Sequence, residues 1–221
     1  LCRYIHGMTR ARSVLTTAAL ALGAASAAHA QQNLHFTYLW HMEQPIYWPD
    51  RQTSGEDRYQ RAWESIQRKD GGAANPGDNL RDIFGLADRV AAYQYRVRDS
   101  VNSIRSRPEA GVQVSFSGGL VENLMSLGAA GQLGYGAQWY SPYREARNWT
   151  TTGGSAQSRC DLVLFSFHHA LMPLLEESTM RKQIQLYKEV YADAWGPTGG
   201  GSQPISKGFF PSEMAFSTRM I

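Results

Sequence analysis

Short apolar runs of strand length alternate with longer stretches of helical period along this chain. Leu34–Trp40 (LHFTYLW), Val112–Ser117 (VQVSFS), Leu162–Phe167 (LVLFSF) and Gly208–Phe210 (GFF) are rich in β-branched, leucine and aromatic residues and read as strands. Between the first two lies Asp78–Arg105. Its apolar positions Leu80, Ile83, Phe84, Ala87, Val90, Ala91, Val97, Val101 and Ile104 mostly recur at the three- and four-residue steps of one helix. Asp78 is placed to cap that helix and Pro108 to stop it. Ser178–Trp195 carries a second stripe, Ile184, Tyr187, Val190, Tyr191 and Trp195, and Gly119–Leu127 begins a third helix. Three long polar stretches remain: Tyr47–Gly77 with a short helical piece at Tyr59–Lys69, Gly128–Ser158, and Gly196–Lys207. Loops of such length are uncommon unless they build a site. Strands that alternate with helices predict parallel βα units, an α/β fold in one domain.

Composition changes this picture at one end only. With 43% hydrophobic and 19% charged residues the chain can bury a sizeable core. Its net charge of +3 is 22 basic minus 19 acidic residues, and Arg3, Arg10 and Arg12 account for the whole excess. From Gln31 onward the balance is neutral, so the electrostatic footprint of a nucleic-acid binder is missing. The same first thirty residues read as a leader. Met8–Arg12 is a short basic segment, Val14–Ala28 an apolar Ala-rich run, and Ala28-His29-Ala30 a small-x-small cleavage site. The apolar run is too short to span a bilayer. The expected division is therefore a leader and signal peptide over residues 1–30, then a domain over 31–221 that is periplasmic or secreted. Leu1–Gly7 precede a plausible start at Met8, which points to a fragmentary gene product. Removal of the leader takes Cys2 and leaves Cys160 alone, so disulfides and Cys-based zinc sites are not expected. A lone thiol before an apolar run reads as a small buried hydrophobe.

Reactive side chains collect in four segments, each at a strand end. Trp40-His41-Met42-Glu43-Gln44-Pro45 follows the first strand, and Ser117-Gly118-Gly119-Leu120-Val121-Glu122 follows the second. The two glycines permit close backbone approach, and Glu122 falls in the first turn of the helix they open, where the dipole favours an acid. Phe167-His168-His169 follows the third strand; adjacent histidines point in different directions, so one at most faces a cleft. Phe210-Pro211-Ser212-Glu213 follows the fourth and sets a carboxylate on a turn among aromatics. Parallel β/α barrels build active sites at the C-terminal ends of their strands.

In this order the four segments resemble glycoside hydrolase family 57, over roughly Leu34 to Phe216. The family's His-x-His-Gln-Pro motif is similar to His41-Met42-Glu43-Gln44-Pro45, with Glu43 in place of the second histidine. Its Gly-x-x-Glu element resembles Gly119-Leu120-Val121-Glu122, and its aromatic-x-x-Glu motif resembles Phe210-Pro211-Ser212-Glu213. Phe210 stands for the more usual Trp and Met214 for an Arg of some members. The resemblance implies the N-terminal portion of a catalytic barrel of the incomplete, seven-stranded β/α type with parallel strands, stopping at the C-terminal end of this chain before the barrel is complete. It implies an exported retaining glycoside hydrolase or transglycosylase with an α-glucan as polysaccharide or oligosaccharide substrate, and no cofactor or metal. Glu213 would be the nucleophile. His41, Glu43, Gln44, Glu122, His168, His169 and Phe210 would line the substrate, and an Asp beyond Ile221 would supply the proton.

Two other readings stand beside it. A polysaccharide deacetylase, a related barrel, would need a metal drawn to His41, His168 and His169, with Glu43 as a further donor. A non-catalytic carbohydrate-binding relative would use the many Trp and Tyr residues to stack on sugars.

Overall fold

The computed structural model describes residues 36–44, 61–70, 80–154, 156–196 and 205–220, and the elements belong to the compact unit that begins at Tyr38. The leader and its cleavage site, the strand residues Leu34 and His35, the expected cap Asp78 and Pro45 lie outside the described residues. β1 (Leu39–Met42), β2 (Val112–Phe116) and β3 (Cys160–Val163) form a parallel sheet in the order β1-β2-β3. The register sets Trp40 against Val114 and His41 against Ser115, then Val114 against Leu162 and Ser115 against Val163. Successive side chains of a strand point to opposite faces. Val112, Val114, Phe116, Cys160 and Leu162 therefore share one face, while His41, Gln113, Ser115 and Asp161 share the other. The sequence VQVSF already carries this alternation.

Helices cover the apolar face. α1 (Ala62–Asp70) packs on α2 (Leu80–Gly85) and on α5 (Gly118–Ala130), and α5 also packs on α7 (Glu177–Trp195). Ser117 caps α5 by accepting from the Leu120 N–H at 3.4 Å, and Gly131, at φ 61°, closes it in the left-handed conformation that glycine tolerates. At Gly118 the need is space: a Cβ there would stand 2.5 Å from the Phe167 ring. The chain enters α5 hard against β3's outgoing end, with Gly118 and Gly119 N–H donating to the carbonyls of Ser166 and Phe167. Cys160 is fully buried, and burial pushes its thiol up to about 12, as a small core residue requires. No helix among the described residues is long and apolar enough to cross a membrane.

Several expected boundaries move. β1 begins at Leu39 and runs through Met42, so His41 lies in the strand rather than after it, and Phe36–Tyr38 are not strand. β3 begins two residues early at Cys160. The fourth expected strand is a single parallel bridge, Leu164 to Phe209. The long helix expected over 78–105 is broken. After α2, Leu86 turns to extended geometry; α3 (Ala87–Ala91) then passes through a π-helical segment (Ala92–Arg96) into α4 (Val97–Ser103). The buried Tyr143 hydroxyl donates to the Ala92 carbonyl at 2.6 Å, at the point where the ladder changes. A side chain that enters the ladder in this way is a recognised cause of such departures. Tyr143 belongs to α6 (Ser141–Asn148), which falls inside the stretch expected to be loop. With eight residues this helix is barely two turns long, and it sits inside a Gly-, Tyr- and Trp-rich stretch that reads as loop.

Candidate active site

The polar face of the sheet ends in a cluster of rings and acids. His41 hydrogen-bonds through Nδ1 to its register partner Ser115 Oγ at 2.8 Å. Its ring lies 4.6 Å from Phe165, 5.1 Å from His169 and 5.4 Å from Phe210 between centroids, and Phe165 and Phe210 stack on each other. Burial, reinforced by the positive charge available to His169 and opposed by Glu213, holds His41 down to about 4. His41 is thus a neutral imidazole at ordinary pH. Its Nε2 is shut away from solvent without a hydrogen-bond partner.

Glu213 occupies a 3-10 turn (Ser212–Met214) just past the bridge at Phe209. Its φ of 53° and ψ of 25° place it in the left-handed region, and Met214 follows at φ 55°. Two successive non-glycine residues there carry a cost of order 1 kcal/mol each. Buried Ser212, 3.4 Å from Ser166 Oγ, anchors the turn, and Met214 N–H bonds back to the Pro211 carbonyl. The turn leaves the Glu213 side chain exposed, with Oε1 3.7 Å from His169 Nε2.

Glu43 follows β1 and is half-buried. Desolvation raises its carboxyl above the usual range, against the Ser117 hydroxyl, His169 and the Gln44 backbone N–H, which all favour the ionised form. Gln44 is buried. The two histidines after β3 divide their roles. His169 faces Glu213 and His41, whereas His168 turns to α7, where Gln183 holds both its backbone N–H (2.7 Å) and its Nδ1 (2.9 Å). Burial lowers the His168 imidazole, partly offset by that Gln183 bond. Glu122 is half-buried in the second turn of α5, not the first, because the helix starts one residue earlier than expected. The described contacts therefore gather His41, Glu43, His169, Phe210 and Glu213 at one place. Ser115, Ser117, Phe165 and Tyr93 join them, and Gln183 holds His168 aside, without any of the five having been singled out as site residues. Of these, only Ser117 had a legible signal, as a cap residue before the glycines.

Among the described residues no group of three His, Cys, Asp or Glu side chains is arranged to hold a metal. Of the donors that the deacetylase reading would use, His168 is turned to Gln183 and His41 Nδ1 is taken by Ser115.

The family model for glycosyl hydrolase family 57 matches residues 36–221. This chain belongs to that family. The "Alpha-amylase" of Niallia circulans is 28% identical over a 243-residue alignment that takes in 99% of this chain and 18% of that protein. The chain therefore spans less than a fifth of the length of this curated relative. No solved structure matches it. The matched range takes in β1, β2, β3 and the turn at Glu213.

His41 makes stability depend on pH. The unfolded imidazole takes a proton near its ordinary value of 6.5, the folded one near 4, so between these values the unfolded state binds more protons. Its contribution should be complete above pH 6.5 and be lost as pH falls toward 4. With the ring only half-buried, that loss should reach about 1–2 kcal/mol. Glu43 acts with the opposite sign, since its raised carboxyl favours the folded state in acid. Chemical denaturation at several pH values should show a shallower acid loss in His41→Gln than in wild type; parallel curves would contradict it.

Proposed function

We propose that this chain is the N-terminal part of the catalytic barrel of an exported retaining glycoside hydrolase or transglycosylase acting on α-glucans, with Glu213 as its nucleophile. The observation that carries the reading is the Glu213 turn: an exposed carboxylate in a strained conformation, beside His169 and near His41, at the C-terminal side of a parallel sheet. Strain of this kind collects at functional sites. Family membership and the activity for which the Niallia circulans relative is named support the substrate class.

In a retaining reaction the ionised carboxylate attacks the anomeric carbon while a protonated carboxyl group about 5–5.5 Å away releases the leaving oxygen. Glu213 takes the first role. The second falls to an Asp further along the protein than Ile221, in the part of the seven-stranded barrel that this sequence does not include. Phe210 and the neighbouring rings offer apolar faces on which a sugar stacks, and His169 offers a donor at the nucleophile. A non-catalytic sugar-binding relative would keep those faces and need no ionised Glu213.

The test is release of reducing sugar from soluble starch by the full-length product. Activity should survive exhaustive chelation, because two carboxyl groups need no ion. Complete loss restored by zinc would move the assignment to the deacetylase reading, and binding without turnover would support the sugar-binding relative. Export follows from the leader, and the mature protein should begin at Gln31. N-terminal sequencing of secreted or periplasmic material checks this; a stable exported product that retains Met8–Ala30 would refute it.

A further inference from the structure

We propose that Ser166 is a positioning residue that ties the loop carrying His169 to the turn carrying Glu213. The proposal rests on the reading of Glu213 as nucleophile. Both segments leave the sheet at the bridge between Leu164 and Phe209. There Leu164 N–H donates to the Gly208 carbonyl at 3.0 Å and Phe210 N–H to the Leu164 carbonyl at 2.9 Å. Just past that bridge Ser166 and Ser212 meet, their hydroxyl oxygens 3.4 Å apart. Ser166 is 0% and Ser212 1% exposed, so bulk water does not compete for either hydroxyl. The Ser166 hydroxyl donates to the His168 carbonyl. A hydroxyl has one hydrogen, so between the two serines Ser212 is the donor. The bonds thus form a chain that runs one way, from Ser212 through Ser166 to the His168 carbonyl, and in such a chain each bond strengthens the next.

Each end of the chain bears on one side chain of the site. The His168 carbonyl and the His169 N–H share one planar peptide unit, so the bond from Ser166 sets the plane from which His169 leaves. Gln183 grips the same residue from α7, its Oε1 accepting from the His168 N–H at 2.7 Å and its Nε2 lying 2.9 Å from Nδ1. His169 Nε2 then stands 3.7 Å from Glu213 Oε1. At the other end Ser212 immediately precedes Glu213, which is held at φ 53°. A left-handed residue of this kind persists only where its surroundings over-determine it. Backbone bonds from Met214 N–H to Pro211 and from Ala215 N–H to Ser212 close the turn on itself. The Ser212 hydroxyl fixes it to the neighbouring loop. Both serines are sealed, so they act through His169 and Glu213 and do not touch sugar.

In the full-length enzyme, Ser166→Ala and Ser212→Ala should each lower kcat on soluble starch about tenfold, with KM changed less than about twofold. A displaced nucleophile slows the chemical step and leaves binding alone. The double variant decides the question. Residues that act through one hydrogen-bonded chain lose it once, so the double variant should turn over within about threefold of the slower single variant. An additive loss of about a hundredfold would show two independent roles and overturn the proposal. Unchanged kcat in either folded variant would do the same, and so would a rise in KM alone, which would make the serines part of substrate binding. If Ser166→Ala does not fold, Ser166→Cys takes its place in the cycle with the same expectations, because the thiol fills the same space and is a weak donor. Failure of the nucleophile reading looks different: Glu213→Gln would turn over normally while the two serines still coupled.

Discussion

Glu213→Gln in the full-length enzyme should cut turnover of α-glucan by about three powers of ten or more, with the fold unchanged. The amide keeps the volume and planarity of the carboxylate but has no charge with which to attack the anomeric carbon, so the covalent route is lost. The side chain is largely exposed and its described partner is His169 at 3.7 Å, so little stability rests on it. That separates the catalytic from the structural role: activity should vanish while the unfolding midpoint stays. Substitution of a residue that only binds substrate should cost far less, because it removes affinity and leaves the covalent step. Near-normal turnover in Glu213→Gln would end the assignment.

The largest stability effect should come from the far face of the sheet. Trp195 is 1% exposed, its ring 5.3 Å from Phe116, 5.3 Å from Tyr191 and 6.1 Å from Trp139. It stands at the end of α7 and locks that helix to β2, whose polar side carries Ser115 and hence His41. Its indole N–H has no hydrogen-bond partner, so truncation removes packing and leaves no bond unmade. Trp195→Ala should destabilise by about 3–5 kcal/mol, a large share of the 5–15 kcal/mol that domains usually have. Denaturant unfolding measures it, and Trp195→Phe should recover much of the loss. A cost below about 1 kcal/mol would show that this aromatic cluster does not organise the core.

The sequence by itself determined the kinds of element and the chemistry available at their ends. The alternation VQVSF set which β2 residues face helices and which face the site, because strand side chains alternate whatever the neighbours are. The two glycines after Ser117 announced a helix that opens in close backbone approach, and Gly118 meets Phe167 as that requires. The α7 stripe was legible at Tyr187, Tyr191 and Trp195, but Gln183 rather than Ile184 turns inward, since it holds His168.

Tertiary structure decided the rest, in each case through a partner distant in the chain. His41 pairs with Ser115 across 74 residues because the parallel register sets them side by side, and register cannot be read from one strand alone. The expected long helix breaks into pieces, and the Tyr143 hydroxyl, from a two-turn helix in a stretch that reads as loop, meets its ladder at Ala92. Of two adjacent histidines, Gln183 draws His168 toward α7 and leaves His169 to Glu213. Glu43 reads as one more acid at a strand end; the fold brings the Ser117 hydroxyl to its carboxyl group and the Tyr93 hydroxyl to its backbone carbonyl, and shuts Oε2 away from solvent. Period and residue type are local properties, whereas burial and charge environment are set by whatever the fold brings within a few ångströms.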